Sequence, residues 1–200
     1  MTTIPITKWR RIRRYHLDKY ARALRKGEVD DGIVPLTNLI NKIDPDIVTT
    51  SSCYGRILLL KIRDLGEKRI ENIYMKWHHP IDIDELWREI ERYTGEETLW
   101  LLLQSTIIHI KCRTLDKAVK IRNLGIEAGY KYSKILSISQ RGITVEISGT
   151  ERLNMPVKSG DKLLIKPEMR ETLKKIYLEM FNRIENRKKR FMEILKNKNL

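Results

Sequence analysis

The densest run of polar chemistry in this chain is Thr49-Thr50-Ser51-Ser52-Cys53-Tyr54-Gly55-Arg56, set between two apolar, β-branched stretches. Hydroxyls, a thiol, a glycine and an arginine in succession suit a turn whose backbone N–H groups and side chains gather round a carboxylate or phosphate. The same residues also suit an ordinary hairpin with Gly55 at a positive φ. His109 sits in Ile107-Ile108-His109-Ile110, where alternation puts it on one face with Ile107, and Arg113 follows at the strand end. A lone strand histidine is either a satisfied sheet-face residue or, with Arg113 and Arg56, a group that holds an anion or moves a proton. His78 follows Trp77 at a strand-to-helix junction, where a catalytic role competes with a capping one. Arg152, beside Glu151, reads as a site residue or as part of a solvated edge strand. Cys53 is a weak nucleophile candidate, because no histidine is near it in sequence and strand thiols are usually buried and inert. No metal is expected: His78 and His79 are adjacent rather than at helical spacing, and no second pair accompanies them. Neither G-x-G-x-x-G nor a Walker A sequence occurs, so a nucleotide needs a geometry other than the Rossmann turn.

These residues need elements to position them. Trp9, Ile12, His16, Tyr20 and Leu24 recur at helical spacing, with arginines and lysines between them and Gly27 as the stop. Residues 34–43 read as a second helix closed by Asp44-Pro45-Asp46. A strand follows, interrupted at residues 51–56 and resumed over 57–62, as strand, tight turn, strand. Residues 71–77 form another strand. Pro80, Asp82 and Glu85 give a capping-box-like start to a helix ending at Tyr93. The run 98–112 is too long for one ordinary strand and is expected to bend or split near 104–106. Thr114 caps a helix with apolar Leu115, Ala118, Val119, Leu124 and Ile126, and Gly129 ends it. Strands are expected at 132–139 and 143–148 across Arg141-Gly142, then at 150–157 and 162–165. Pro167 opens a last helix carrying Leu173, Ile176, Met180, Ile184, Phe191 and Leu195 on one face. The pattern of helix, turn, strand, glycine turn, strand at 34–62 recurs at 115–147, with Gly55 and Gly142 in equivalent places. The expectation is one α+β domain over 1–200, with a mostly antiparallel or mixed sheet, a possible internal duplication and a basic helix at each terminus.

The 200 residues include 40 Lys plus Arg against 26 Asp plus Glu, a net charge of +14. Residues 1–26 hold nine basic and one acidic residue, and residues 166–200 hold eleven and five. The core between, 27–165, therefore has 20 of each sign and is neutral. Charge segregated to two terminal helices fits a nucleic-acid backbone footprint, and a plain solvated surface or a dimer interface is the alternative. No apolar run is long enough to span a membrane and no signal-peptide core precedes the basic helix, so a cytoplasmic protein is expected. Two cysteines, Cys53 and Cys112, are too few for a disulfide framework. The Lys, Glu and Ile richness, with Gln only at 104 and 140, resembles thermophilic composition and leaves a Cys53 to Cys112 bridge open.

Residues 49–57 closely resemble the T-S-S-C-S-G-R-I signature of the tRNA wybutosine-synthesizing protein 3 family. Glu28-Val29-Asp30 with Pro35-Leu36 and Leu39-Ile40-Asn41 is similar to that family's approach to the motif. Residues 107–115 are similar to its I-L-H-V-x-C-R-x-L segment. Ala128-Gly129-Tyr130 with Ser133, Thr150-Glu151-Arg152-Leu153 with Pro156, and 186–191 follow in the family's order. Tyr54 stands where the signature has a small residue. The resemblance covers roughly 28–191. It implies an S-adenosyl-L-methionine-dependent methyltransferase, not of the conventional Rossmann kind, that acts on the tricyclic base 3′ of the anticodon of tRNA(Phe). The atom methylated is N4 of the 7-aminocarboxypropyl-demethylwyosine base. On this reading Ser51, Ser52, Cys53, Gly55 and Arg56 hold the donor, and His109, then His78, accept or orient the ring proton. Asp30, Arg113, Ser133, Arg152 and Tyr54 face the tRNA anticodon arm, with Tyr54 or Trp77 receiving the base. The alternative is a non-catalytic RNA-binding paralogue, as monomer or homodimer.

Overall fold

The structure, a computed structural model, describes residues 3–63 and 72–198. Its contacts fall into two compact units, each assembled from segments distant in sequence: Met1–Tyr54, Thr106–Thr150 and Ile184–Leu200 in the first, Gly55–Ser105 and Glu151–Arg183 in the second.

In the first unit the basic N-terminal segment folds as α1 (Ile6–Arg25), and Gly27, at φ 67°, lets the chain leave it. Trp9 is the residue of α1 that is fully buried; it meets Ile4 and Val48 and donates its indole N–H to the Pro45 carbonyl at 2.8 Å. After a 3-10 turn come α2 (Val34–Ile43) and β1 (Ile47–Cys53). The chain supplies β5 (Ile107–Cys112), α4 (Leu115–Glu127), β6 (Lys134–Ser139) and β7 (Gly142–Ser148) after its excursion through the second unit. The four strands form one antiparallel sheet in the order β1-β5-β7-β6. One face of that sheet makes the core: Ile47, Ile108, Ile110, Cys112, Val145 and Ile147 bury against Leu36 and Ile40 of α2 and Ala118, Ile121 and Leu124 of α4. Phe191 and Leu195, from the C-terminal helix, complete it. Thr114 caps α4 as expected, accepting from the Lys117 N–H at 3.2 Å. Val119 and Ile126, expected on the buried stripe, are exposed, and Ile121 takes that place.

The second unit contains β2 (Arg56–Ile62), β3 (Ile73–Trp77), α3 (Ile83–Arg92), β4 (Thr98–Gln104), β8 (Arg152–Ser159) and the short β9 (Lys162–Leu163). Its sheet has the order β3-β2-β4-β8-β9, again antiparallel throughout. On β4 the alternation is strict, with Leu99, Leu101 and Leu103 buried. The final helix, α5 (Met169–Asn197), gives its residues up to Arg183 to this unit and the rest to the first. Leu173 and Met180 are buried as expected, but Ile176 is exposed and Tyr177 is buried in its stead, its hydroxyl donating to the Ile81 carbonyl at 2.6 Å.

The α+β class and antiparallel pairing match the sequence reading, as do the break between β4 and β5 and the two terminal helices. The strands, however, divide between two sheets. β1 and β2 do not pair as a hairpin: β1 joins β5, whereas β2 joins β3 and β4. Gly142 does sit in the hairpin of β6 and β7, so Gly55 and Gly142 are not equivalent in the fold. The capping box before α3 is half formed. Asp82 accepts from the Asp84 N–H, but Glu85 turns away to accept from the Trp77 indole at 2.9 Å. Glu71, expected at the start of β3, lies outside the described residues.

Candidate functional site

The site of the first unit is made by a bulge. Pairing of β1 with β5 runs in register to Thr49 opposite Ile110 and then slips one residue, leaving Thr50 extra and setting Ser51 opposite His109. Asn41 of α2 pins this point: its side-chain oxygen accepts from the Thr49 N–H at 2.8 Å and its amide donates to the Thr49 hydroxyl at 2.8 Å. Thr50 donates to the His109 carbonyl at 3.3 Å. With Ser51 thus aimed, its Oγ lies 2.8 Å from His109 Nδ1.

The row continues across the sheet. His109 Nε2 is 3.1 Å from Glu146 Oε2, and Lys134 Nζ is 2.9 Å from Glu146 Oε1. His109 faces Glu146 across β5 and β7, and Glu146 faces Lys134 across β7 and β6, so Ser51, His109, Glu146 and Lys134 stand on four successive strands. Glu146 is 13% exposed and His109 28%, so the carboxylate is the more sheltered end. Burial pushes the Glu146 carboxyl up, but the hydrogen bonds from Lys134 and His109 outweigh it and hold it below the usual carboxylate range. Glu146 accepts from Nε2, which leaves Nδ1 to accept from the Ser51 hydroxyl. Glu146 and Lys134 were not anticipated from sequence.

Ser51 also forms part of the wall of a cavity of about 200 Å³, shared with Thr49, Thr50, Ser52, Glu28 and, from α1, His16, Lys19 and Tyr20. The hydroxyl cluster thus faces a space. Cys53 is half-buried opposite Ile107, and Cys112 is fully buried opposite Ile47 at the far end of the same strand pair. The two are not bonded, and burial pushes the Cys112 thiol up to about 12.

Other expected site residues make bonds within the unit. Arg113 forms a two-point pair with Asp46, at 2.7 and 2.8 Å, which occupies the guanidinium fork. Ser133 is buried and donates to the Tyr130 carbonyl at 2.7 Å, closing the turn after α4. Asp30 anchors the motif loop, accepting from the Tyr54 N–H at 2.8 Å. Tyr54 is held through both its backbone and its side chain. Its carbonyl accepts from Thr106 at 2.6 Å, its hydroxyl donates to Glu185 at 2.7 Å, and Lys188 Nζ lies 5.2 Å from its ring centre. The ring also lies so close to Gly32 that a Cβ there would sit 2.8 Å from it. Burial, then Glu185, raise the Tyr54 hydroxyl well above its ordinary value.

In the second unit, Gly55 is buried at φ 134°, which explains the glycine. Arg56 donates to the Gln104 side chain at 2.6 Å, and Arg152 faces Gln104 from the other side. Arg152 borders a cavity of about 250 Å³ with Leu103, Ile176, Met180 and Arg183. His78 is half-buried just past β3. Trp77 has its indole bonded to Glu85 and 8% of its surface exposed. Within each unit taken alone, therefore, Ser51 and His109 are brought together, and Arg56 and Arg152 flank Gln104.

The family model described as Methyltransferase TYW3 matches residues 8–197. A protein of Pyrococcus abyssi named tRNA(Phe) 7-((3-amino-3-carboxypropyl)-4-demethylwyosine(37)-N(4))-methyltransferase 1 is 40% identical over 171 residues, covering 86% of this chain and 87% of its own. A Thermococcus kodakarensis protein of the same name, numbered 2, is 34% identical over 183 residues, 92% of this chain and 85% of its own. Among solved structures, the PH1069 protein of Pyrococcus horikoshii superposes with a TM-score of 0.86 at 34% identity, over 92% of this chain and 94% of that one.

Proposed function

The chain belongs to the Methyltransferase TYW3 family, and from that premise we propose that it transfers a methyl group from S-adenosyl-L-methionine to N4 of 7-(3-amino-3-carboxypropyl)-4-demethylwyosine in tRNA(Phe). The substrate is the anticodon arm, and the setting is the cytoplasm. Among the described residues no helix is long and apolar enough to cross a membrane. The whole chain acts as one methyltransferase domain.

One observation carries the site assignment: Ser51 is at once a wall of the hydroxyl-lined cavity and the first member of the row that ends at Glu146 and Lys134. That cavity fits the amino-acid end of the donor by chemistry, with the Ser52 hydroxyl for its carboxylate and Glu28 for its ammonium. At about 200 Å³ it is smaller than the roughly 300–1,000 Å³ of sites that enclose a nucleoside-sized ligand, so the cavity takes that end alone. When bound, the donor supplies an electrophilic methyl group.

The chain's own residues then manage one proton. The acceptor nitrogen carries a hydrogen that must leave as the methyl arrives. The Ser51 hydroxyl, donating to His109 Nδ1, passes its proton inward and takes the one released from the base. The imidazolium formed keeps its Nε2–H on Glu146, whose charge stabilises it, and Lys134 keeps that carboxylate ionised and oriented. Arg56 and Arg152 are the residues of the second unit assigned to the substrate's charged chain, and His78 is its second proton-handling candidate.

The test is mass spectrometry of tRNA(Phe) bearing the intermediate after incubation with protein and donor. A base one methyl heavier, formed only with the donor present, is expected. Tight RNA binding without any mass gain would instead identify a non-catalytic RNA-binding paralogue.

A further inference from the structure

The first unit has another cavity, about 480 Å³, walled by Arg11, Ile12, Tyr15 and His16 of α1, Lys111 of β5 and Arg141 of the turn between β6 and β7. Among the described residues, three permanent cations border it and no carboxylate does. Several other cations of the unit stand in ion pairs: Arg113 with Asp46, Lys117 with Asp44, Lys134 with Glu146, Lys198 with Glu127. Among the described residues Arg11, Lys111 and Arg141 have no such pair.

The cluster is built into the fold. The stem of Lys111 runs across Gly142, where a Cβ would stand 2.8 Å from Lys111 Cγ and 3.1 Å from its Cδ. Gly142, at φ 118°, therefore serves both the hairpin turn and the seating of the lysine. Burial and then Arg141 lower the Lys111 ammonium from its ordinary value, as expected of cations held together without a counter-charge. Beside it, the buried Nδ1 of His16 has no hydrogen-bond partner among the described residues. At the rim, Tyr15 is 60% exposed and offers an aromatic face.

Like charges gathered round the half-buried Lys111 raise the energy of the empty site, and an anion reverses that cost while accepting from the waiting donors. A carboxylate would satisfy one cation. A phosphodiester brings oxygens for several and a nucleobase that stacks on the exposed ring. We propose that this cavity is a backbone-phosphate subsite, taking one phosphate of the RNA through Arg11, Lys111 and Arg141 with the adjoining base against Tyr15. It rests on the reading that the substrate is RNA.

The probe is a synthetic tRNA(Phe) anticodon stem-loop titrated without methyl donor, followed by fluorescence anisotropy over a salt series. Arg11 and Arg141 are exposed, so Arg11→Ala, Arg141→Ala and the double variant keep the fold, which their melting curves check. The double variant is expected to bind more weakly and to lower the slope of log K against log salt by about 0.7, one phosphate contact. Lys162→Ala, an exposed cation of the second unit, leaves the slope unchanged. Wild-type affinity and slope in the double variant would overturn the subsite while leaving the methyltransferase reading intact. Failure of the wild-type protein to bind the stem-loop would overturn both.

Discussion

His109 is readable from sequence as a polar residue on an apolar strand, yet its partners are not. Counting back from the Arg141-Gly142 turn in strict register sets Ile135 opposite Glu146. The slip between Ile135 and Ser137 brings Lys134 there instead. The same arithmetic on β1 and β5 would seat Thr50, not Ser51, across from His109, were it not for the bulge after Thr49. Two single-residue insertions, invisible to periodicity, therefore align the row. Glu146 has a pH consequence. Its folded pKa lies below its ordinary value of 4.5, so the stabilisation it brings is complete above about that pH and is lost as pH falls through the folded value. Glu146→Gln is accordingly expected to flatten the acid limb of an unfolding curve below pH 4.5, which chemical denaturation at several pH values checks. Tyr54 supplies a second prediction. Gly32→Ala presses a methyl onto the ring of a residue already held by three hydrogen bonds, so a stability loss of about 1–3 kcal/mol is expected in thermal melts. Tyr54→Phe, which removes the bond to Glu185, is expected to cost about 1–2 kcal/mol.

At the scale of elements, helix boundaries were the most legible feature because caps and glycines mark them: Thr114, Gly27 and Gly129 all act where their chemistry says. Strand partners were the least legible. Residues 47–62 read as a hairpin, since a glycine between two β-branched runs satisfies every local rule, but the choice of partner depends on pairings with β5 and β4 that lie 36 to 65 residues away. The same limit affected the helix stripes. Ile176 and Tyr177 are neighbours on α5, and which one turns inward is decided by the Ile81 carbonyl that the tyrosine hydroxyl reaches. Phe191 is the large C-terminal anchor of the first unit's core and packs edge-on to Tyr130 at 5.8 Å. Phe191→Ala is expected to cost about 3–5 kcal/mol, measured by denaturant unfolding, because the cavity forms among β-strand and helix side chains that cannot all relax.

For the whole molecule, the charge of +14 is a property of its ends. α1 and α5 carry the excess, whereas the segments that contribute the strands sum to zero, and the Ser51 to Glu146 row lies in those neutral segments. Substrate grip and chemistry are thereby separable. Charge removal on the exposed face of α1, for example Arg10→Ala with Arg14→Ala, is expected to raise KM for tRNA and to weaken its salt dependence, with the larger effect at low salt. The chemistry itself is tested most directly by single-turnover methylation of tRNA(Phe) bearing the intermediate, at saturating protein and donor. If Ser51, His109 and Glu146 move the proton, His109→Ala slows that step by about 10²- to 10⁴-fold with tRNA affinity preserved, and Ser51→Ala slows it in the same direction. A His109→Ala protein that methylates at the wild-type rate would contradict the account.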